Sequence, residues 1–265
     1  MVDTNPHAHR FRTAAQHYLR GRLEYAPMLI DDVAVFIGLE RVHRVMDLGC
    51  GPGQLALAFA PKAAEVVALD PEPVMLGIAR ERAAAAGIPI RFIQGGSNDL
   101  TEALGRFHLV TIGRAFHWMD QKATLAMLDR LLDASGAVAL FGDRHVDAEE
   151  NAWREPYQAL LRQYGADDTT HPKRTVKKGA YTHEATMLAS PFQRLERIAV
   201  IERRHTPVET FVDRAFSQSS TAPDRLGPDR AASLAGDVSA LMQAHARDGQ
   251  IVELIETHAL IARRL

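Results

Sequence analysis

The feature that most constrains this chain is a set of three alternate glycines, Gly49, Gly51 and Gly53, held between a strand-like and a helix-like segment. Residues 45–48 read as a short buried strand, and residues 55–60 follow a helical pattern. Glycine adopts backbone dihedrals closed to other residues and lets a ligand come close to the main chain. In an open parallel sheet, the crevice beyond the carboxyl end of the first strand is the expected ligand site. About 20 residues on, the apolar run 66–69 ends in Asp70, a carboxylate placed beside the loop where it accepts hydrogen bonds from ribose hydroxyls.

The surrounding pattern fits such a sheet. Strand-like segments are expected at 45–48, 66–69, 90–93, 109–112 and 137–141, with helical patterns at 55–60, 74–86 and 122–132 between them. The alanine run 83–86 reads as helix, and no internal repeat occurs. Ahead of the first strand, Pro27 opens a helix whose apolar positions are Met28, Leu29, Val33, Phe36 and Ile37, ended by Gly38. After Gly142 the chain turns polar, with Trp153, Tyr157, Leu160 and Leu161 on one helix. An alternating strand spans 195–205. Thr206-Pro207-Val208-Glu209 then has the spacing of a capping box, followed by an amphipathic helix carrying Val208, Phe211, Val212, Ala215 and Phe216. A helix at 229–247 and a strand at 251–262 complete the chain, and the two late strands are expected to pair antiparallel. One domain is expected. Its parts are an N-terminal helical lid (1–40), a ligand-binding core (41–142), insertions on the substrate side (143–192 and 206–248) and final strands (193–205 and 250–265).

The bound species is therefore adenosine-like, and two cofactors compete for the loop. A nicotinamide dinucleotide calls for Gly-x-Gly-x-x-Gly, with its pyrophosphate on a helix N-terminus. Here the glycines fall at 49, 51 and 53, and position 54 is Gln. Asp47, just before the loop, disfavours a pyrophosphate and suits a cation. S-adenosyl-L-methionine, with an ammonium and a sulfonium, fits better.

Residues 47–53 with Asp70 resemble the first two motifs of class I S-adenosylmethionine-dependent methyltransferases. Arg114-Ala-Phe-His117-Trp118-Met-Asp120 resembles a segment of the small-molecule branch that includes trans-aconitate methyltransferase-like proteins. His17-Tyr18-x-x-Gly21-Arg22-x-x-Tyr25 and Phe216-Ser217-Gln-Ser219-Ser220-Thr221 are similar to other segments of that branch, so the resemblance spans nearly the whole chain. It implies an α/β fold: a Rossmann-like, doubly wound, seven-stranded, mostly parallel sheet with an antiparallel last strand, in three α-β-α layers. It also implies that Asp47, Gly49, Cys50 and Gly51 line the methionine part of the cofactor and that Asp70 holds the ribose. Pro71 and Met75 then lie near the adenine, Ser97, Asn98 and Asp99 at its edge, and Arg114 and Ala115 beside the cofactor after the fourth strand. The family often has a small residue and an acid where Ser97, Asn98 and Asp99 stand. Tyr18 and Arg22 belong to the N-terminal lid.

Methyl transfer from a sulfonium needs positioning and dryness, and a base only when the nucleophile must lose a proton. His117 is the candidate base, with a structural imidazole as the plainer alternative. Trp118, Arg144, Ser217 and Ser219 are candidates for the acceptor pocket, Arg144 as a partner for an acidic substrate. Against these stand a core role for Trp118, a surface loop for Arg144 and a helix cap for the serines. The Cys50 thiol reads as a small filler, not a nucleophile. The cluster Lys173, Arg174, Lys177 and Lys178 reads as a solvated loop. His7 and His9, or Asp167, Asp168 and His171, do not make complete ligand sets, so no metal is expected.

Composition narrows the partners. Among 265 residues, Lys plus Arg number 31 and Asp plus Glu 33, so the net charge of −2 lacks the basic excess of a nucleic-acid binder. The fourth strand leads into Gly113-Arg-Ala-Phe-His rather than the Asn/Asp-Pro-Pro-Tyr of enzymes that methylate adenine or glutamine amino groups. One cysteine fits a reducing cytoplasm, and no run of about 18 apolar residues marks a membrane span. The expected function is methyl transfer to an oxygen or nitrogen, including a carboxylate, of a small organic molecule. A non-catalytic S-adenosylmethionine-binding module and an NAD-dependent oxidoreductase are the alternatives. The sequence is silent on oligomeric state.

Overall fold

The computed structural model describes residues 15–165, 182–218 and 220–265. The core begins with helices α1 (Ala15–Gly21) and α2 (Pro27–Phe36). Alternation follows: β1 (Arg44–Leu48), α3 (Gln54–Phe59), β2 (Glu65–Asp70), α4 (Pro73–Ala85), β3 (Arg91–Gln94), β4 (Phe107–Gly113), α5 (Gln121–Leu131) and β5 (Leu132–His145). The remaining elements are α6 (Arg154–Tyr164), α7 (His183–Leu188), β6 (Arg194–Pro207), α8 (Thr210–Phe216), α9 (Pro223–Leu226), α10 (Pro228–His245) and β7 (Gln250–Arg263). The strands form one sheet in the order β3-β2-β1-β4-β5-β7-β6. The first five pair in parallel, and β7 runs antiparallel to both β5 and β6. This is the doubly wound, mostly parallel Rossmann-like sheet expected from the alternation of elements.

Alternate residues of each central strand feed opposite cores, as the pleat requires. Val45, Val66, Ala68 and Leu109 pack with Leu29, Val33, Leu55 and Phe59 of α2 and α3. Met46, Leu48, Val67 and Val110 pack on the other face with Leu125, Leu128 and Leu131 of α5. A third cluster joins Trp153, Tyr157 and Leu161 of α6 to Phe211 and Phe216 of α8 and to Leu234, Val238 and Met242 of α10. Ile251, at the start of β7, also belongs to it, so this cluster stands at the sheet edge where β5 ends and β7 begins.

Several local expectations change. Met28 and Phe36 are exposed, while Leu29, Val33 and Ile37 are buried as expected and Ile30 and Ala34 join them. The capping box at 206–209 does not form. Thr206 and Pro207 still belong to β6, the Thr206 hydroxyl donates to Glu253 at 2.5 Å, and α8 starts at Thr210 with no side-chain cap. A long-range acceptor on β7 outcompetes the local turn. Val208 is buried just ahead of the helix rather than within it. The fifth strand starts at Leu132, earlier than the expected 137, because Phe107 pairs with Leu132 before a register shift brings Leu109 opposite Ala137.

Candidate functional site

The sheet order reverses between β1 and β4, and the crevice beyond their carboxyl ends is where a doubly wound sheet binds ligands. The glycine loop fills one side of it. The N–H groups of Gly49 and Cys50 both donate to the Leu69 carbonyl, at 2.8 and 2.9 Å, which fastens the loop to β2. Gly49 has φ +72°, and a Cβ there would lie 2.6 Å from the Cβ of Ala115, so the chain can pass only as glycine. Gly51 has φ +53° and nothing within 4 Å of a Cβ, which leaves its face of the loop open to a ligand.

The two expected carboxylates differ in their duties. Asp47 is fully buried, accepts from the Ala56 N–H at 2.9 Å and the Thr111 hydroxyl at 3.0 Å, and is raised to about 7 by burial. It braces α3 and β4 against the loop. Asp70 accepts the Gly51 N–H at 2.8 Å and the Glu72 N–H at 2.9 Å. Burial lifts it to about 6, so it is ionised at neutral pH, and each oxygen keeps lone-pair capacity for a further donor. Glu72 caps α4 through the Val74 N–H, and Met75 is buried on the same helix. Pro71 is half-buried between Asp70 and that cap. Ser97, Asn98 and Asp99 form a 3-10 turn just past β3, held by an Asp99 carboxylate that accepts from Gly96 at 2.7 Å. The Gly95 N–H donates to the Asp70 carbonyl at 3.1 Å, so this turn stands beside the end of β2. The Cys50 thiol is buried and pushed well above its usual range by desolvation, which leaves it inert.

On the other side of the crevice, Arg114 has φ +55°, a strained value for a non-glycine residue. Its guanidinium donates to Asp143 at 2.5 Å, to the Gln54 side chain at 3.2 Å and to the Leu23 carbonyl at 2.7 Å, and lies 4.4 Å from the Tyr25 ring. It thus joins β4, β5, the loop and the N-terminal segment. Burial opposes ionisation of Asp143, but the charge and hydrogen bond of Arg114 outweigh it and hold the carboxyl below its usual range.

Two hollows meet at this point. A small one of about 20 Å³, room for about one water, lies among Tyr18, Asp47, Gly49, Gly51, Gln54 and Arg114. A large cavity of about 690 Å³ shares Tyr18 and Arg114 with it and extends past His117, Trp118, Arg197 and His258. Tyr18 lies on α1, and Arg22 just beyond it stacks 5.1 Å from the Tyr18 ring, so the N-terminal segment forms a wall common to both. His117 and Trp118 occupy a 3-10 turn, ring centroids 4.7 Å apart, at the cavity wall. Arg144 points elsewhere, into a bidentate pair with Glu256 at 2.9 and 2.5 Å. Ser217 is buried and donates to the Arg214 carbonyl at 2.8 Å, ending α8. Ser219, His7, His9, Asp167, Asp168, His171, Lys173, Arg174, Lys177 and Lys178 lie outside the described residues.

Sequence reasoning missed His258. It lies opposite Gly142 in the β5–β7 register, and a Cβ on Gly142 would stand 2.8 Å from its Nε2. Burial and the nearby Arg197 charge lower its pKa and favour the neutral ring. The one available signal was a histidine within the strand-like stretch 251–262. Also missed was buried Glu253, which gathers Arg214, His145 and Thr206 from three other elements.

Residues 45–136 match the protein family described as "Methyltransferase domain". That stretch is similar to a methyltransferase domain. Over 111 residues the chain is 38% identical to demethylmenaquinone methyltransferase of Thermus thermophilus, covering 40% of this chain and 50% of that protein. Over 137 residues it is 34% identical to trans-aconitate 2-methyltransferase of Mycobacterium tuberculosis, covering 48% and 49%. The chain thus spans about half the length of the curated relatives it matches. In fold it is similar to the YcgJ protein of Bacillus subtilis, with TM-score 0.56 and 18% identity over 91% of this chain and 100% of that one. It is similar also to an S-adenosylmethionine-dependent methyltransferase of Thiobacillus denitrificans solved with S-adenosyl-L-homocysteine, with TM-score 0.53 and 12% identity over 97% and 98%. Likeness to that family implies S-adenosylmethionine as cofactor, and the residues present fit it. The open backbone face at Gly51 and the ionised Asp70 with lone pairs to spare suit a ribose. Among the described residues, no helix is long and apolar enough to cross a membrane.

Proposed function

We propose that this chain is an S-adenosylmethionine-dependent methyltransferase that methylates an oxygen or nitrogen of a small organic acceptor. The observation that carries the reading is the shared wall. Tyr18 and Arg114 border both the glycine-loop hollow and the 690 Å³ cavity, so a group in one faces a group in the other. When bound, the cofactor supplies a methyl group already activated on sulfur. The chain's own residues then position and shelter the acceptor. Asp70 accepts the ribose hydroxyls, with Ser97, Asn98 and Asp99 at the outer end of the same edge. Tyr18 and Arg22 close the site from the N-terminal side, and α1 must shift to admit the cofactor, since the hollow beneath Tyr18 is only about 20 Å³. His117 takes the proton of a hydroxyl or amine acceptor. A carboxylate acceptor needs no such help.

Calorimetric titration with S-adenosylmethionine, S-adenosylhomocysteine and NAD tests the reading, alongside Asp70→Ala. Binding of both sulfur nucleosides, weakened in the variant, supports it and opens an acceptor screen in which transfer to any added compound excludes a purely binding role. A response to NAD alone overturns it in favour of a dehydrogenase.

A further inference from the structure

A second cavity, of about 200 Å³, adjoins the large one and shares Arg22, Asp143 and Gln218 with it. Its other walls include Trp153, Arg154 and Arg214. The charges here do not cancel. Arg214 is matched by Glu253, Arg144 by Glu256, and Asp143 is already held by Arg114. Arg22 and Arg154 have no carboxylate in salt-bridge range among the described residues.

Unused hydrogen-bond donors point the same way. Trp153 is only 2% exposed, lies edge-on to His145 and Phe211, and has no acceptor for its Nε1. The Arg22 Nε is likewise buried without one, its terminal nitrogen reaching the Ser217 carbonyl at 3.4 Å. Buried donors are seldom left unpaired, and these two belong to side chains that line one cavity. Helix α6, of 11 residues, starts at this wall with Trp153 in its cap position and no side-chain cap, adding the positive end of its dipole.

We propose that this cavity binds an oxyanion, the carboxylate or phosphate group of an acceptor whose methylated atom lies in the larger cavity. The term acceptor rests on the methyltransferase reading; the oxyanion site rests on its own residues. Guanidinium groups and an indole N–H offer donors only, so a neutral hydroxyl would gain little there and an oxyanion is matched on charge and on hydrogen bonds.

The test uses the full chain carrying Trp118→Phe, which leaves Trp153 as the single indole of the two present. Its fluorescence is titrated with inorganic phosphate and with succinate at ionic strength held constant by chloride. A saturable response to either supports the site: phosphate alone identifies a phosphorylated acceptor, succinate alone a carboxylated one. Arg154→Ala and Arg22→Gln should each raise the apparent Kd about tenfold, while Arg162→Ala, on the same helix but outside the cavity, should not. A linear response, or a Kd indifferent to Arg154 and Arg22, overturns the proposal. Calorimetry with S-adenosylhomocysteine on the same proteins separates the two readings. An oxyanion response without nucleoside binding removes the methyltransferase reading and leaves the site standing. Nucleoside binding without an oxyanion response removes the site alone.

Discussion

Arg114 donates its Nε–H to an Asp143 carboxylate oxygen at 2.5 Å, and this one contact joins the end of β4 to the end of β5. Because the same guanidinium also reaches Gln54 and the Leu23 carbonyl, its planar fork fixes three segments at once. Arg114→Lys can keep only one of these bonds. The variant should lose about 3 kcal/mol of stability in denaturant unfolding and bind S-adenosylhomocysteine more weakly by calorimetry. Unchanged values would remove the clamp role.

Gly49 is limited twice, by its φ of +72° and by the Ala115 Cβ 2.6 Å from where its own would be. Gly49→Ala should cost about 1–3 kcal/mol from crowding and about 1–2 kcal/mol from the left-handed backbone. Adding Ala115→Gly should recover the first part and leave the second, a partial rescue readable in the unfolding midpoint.

Burial raises Asp47 to about 7 in the folded protein from the 3.8 of an exposed aspartate. A raised acid favours the protonated fold, so this residue reduces stability progressively as pH climbs from about 4 to about 7. Asp47→Asn can still accept from Ala56 and can donate to Thr111, whose hydroxyl also reaches the Met46 carbonyl at 3.3 Å. Relative to the variant, the wild-type melting temperature should fall across that window. Parallel curves would show that Asp47 does not titrate there.

Glu253 has the opposite sign. Burial alone would raise it, but the hydrogen bond from His145 and the charge and hydrogen bonds of Arg214, with a further bond from Thr206, hold it at about 2. A lowered acid contributes stability that is complete above about 4.5 and is lost as pH falls toward 2. Glu253→Gln leaves Arg214 buried without its carboxylate and should cost about 3–5 kcal/mol at neutral pH. The deficit should shrink in acid, as chemical denaturation at pH 7 and pH 3 would reveal.

His117 lines the 690 Å³ cavity. If it takes a proton, His117→Ala should lower kcat about a hundredfold for hydroxyl or amine acceptors and leave transfer to a carboxylate unchanged. An equal loss with both classes would assign the ring to positioning.

The core of the fold could be read from the chain because its signals are local. The short segments at 45–48 and 66–69 have the length and composition of buried strands, and the glycines at 49 and 51 carry left-handed dihedrals that a tight turn requires. Asp70 ends β2 as expected for the same reason, since its place at a strand end follows from spacing alone. The capping box at 206–209 was misread because Glu253, 47 residues away, takes the Thr206 hydroxyl.

The arrangement beyond the glycine loop was not legible, because its groups meet only through pairing. His258 faces Gly142 by virtue of the antiparallel β5–β7 register, and a shift of one residue would turn it to the other face. Arg144 looked like a substrate partner until β7 placed Glu256 opposite it. Arg22, Trp153 and Arg214 are far apart in sequence and share one cavity wall. By itself the sequence determined the doubly wound sheet, the glycine loop and the carboxylate at position 70, since each depends on the dihedrals and burial of neighbouring residues. The tertiary structure alone decided which charges cancel and which stay open to a ligand, because Coulomb and hydrogen-bond energies depend on distances in space that sequence separation does not encode.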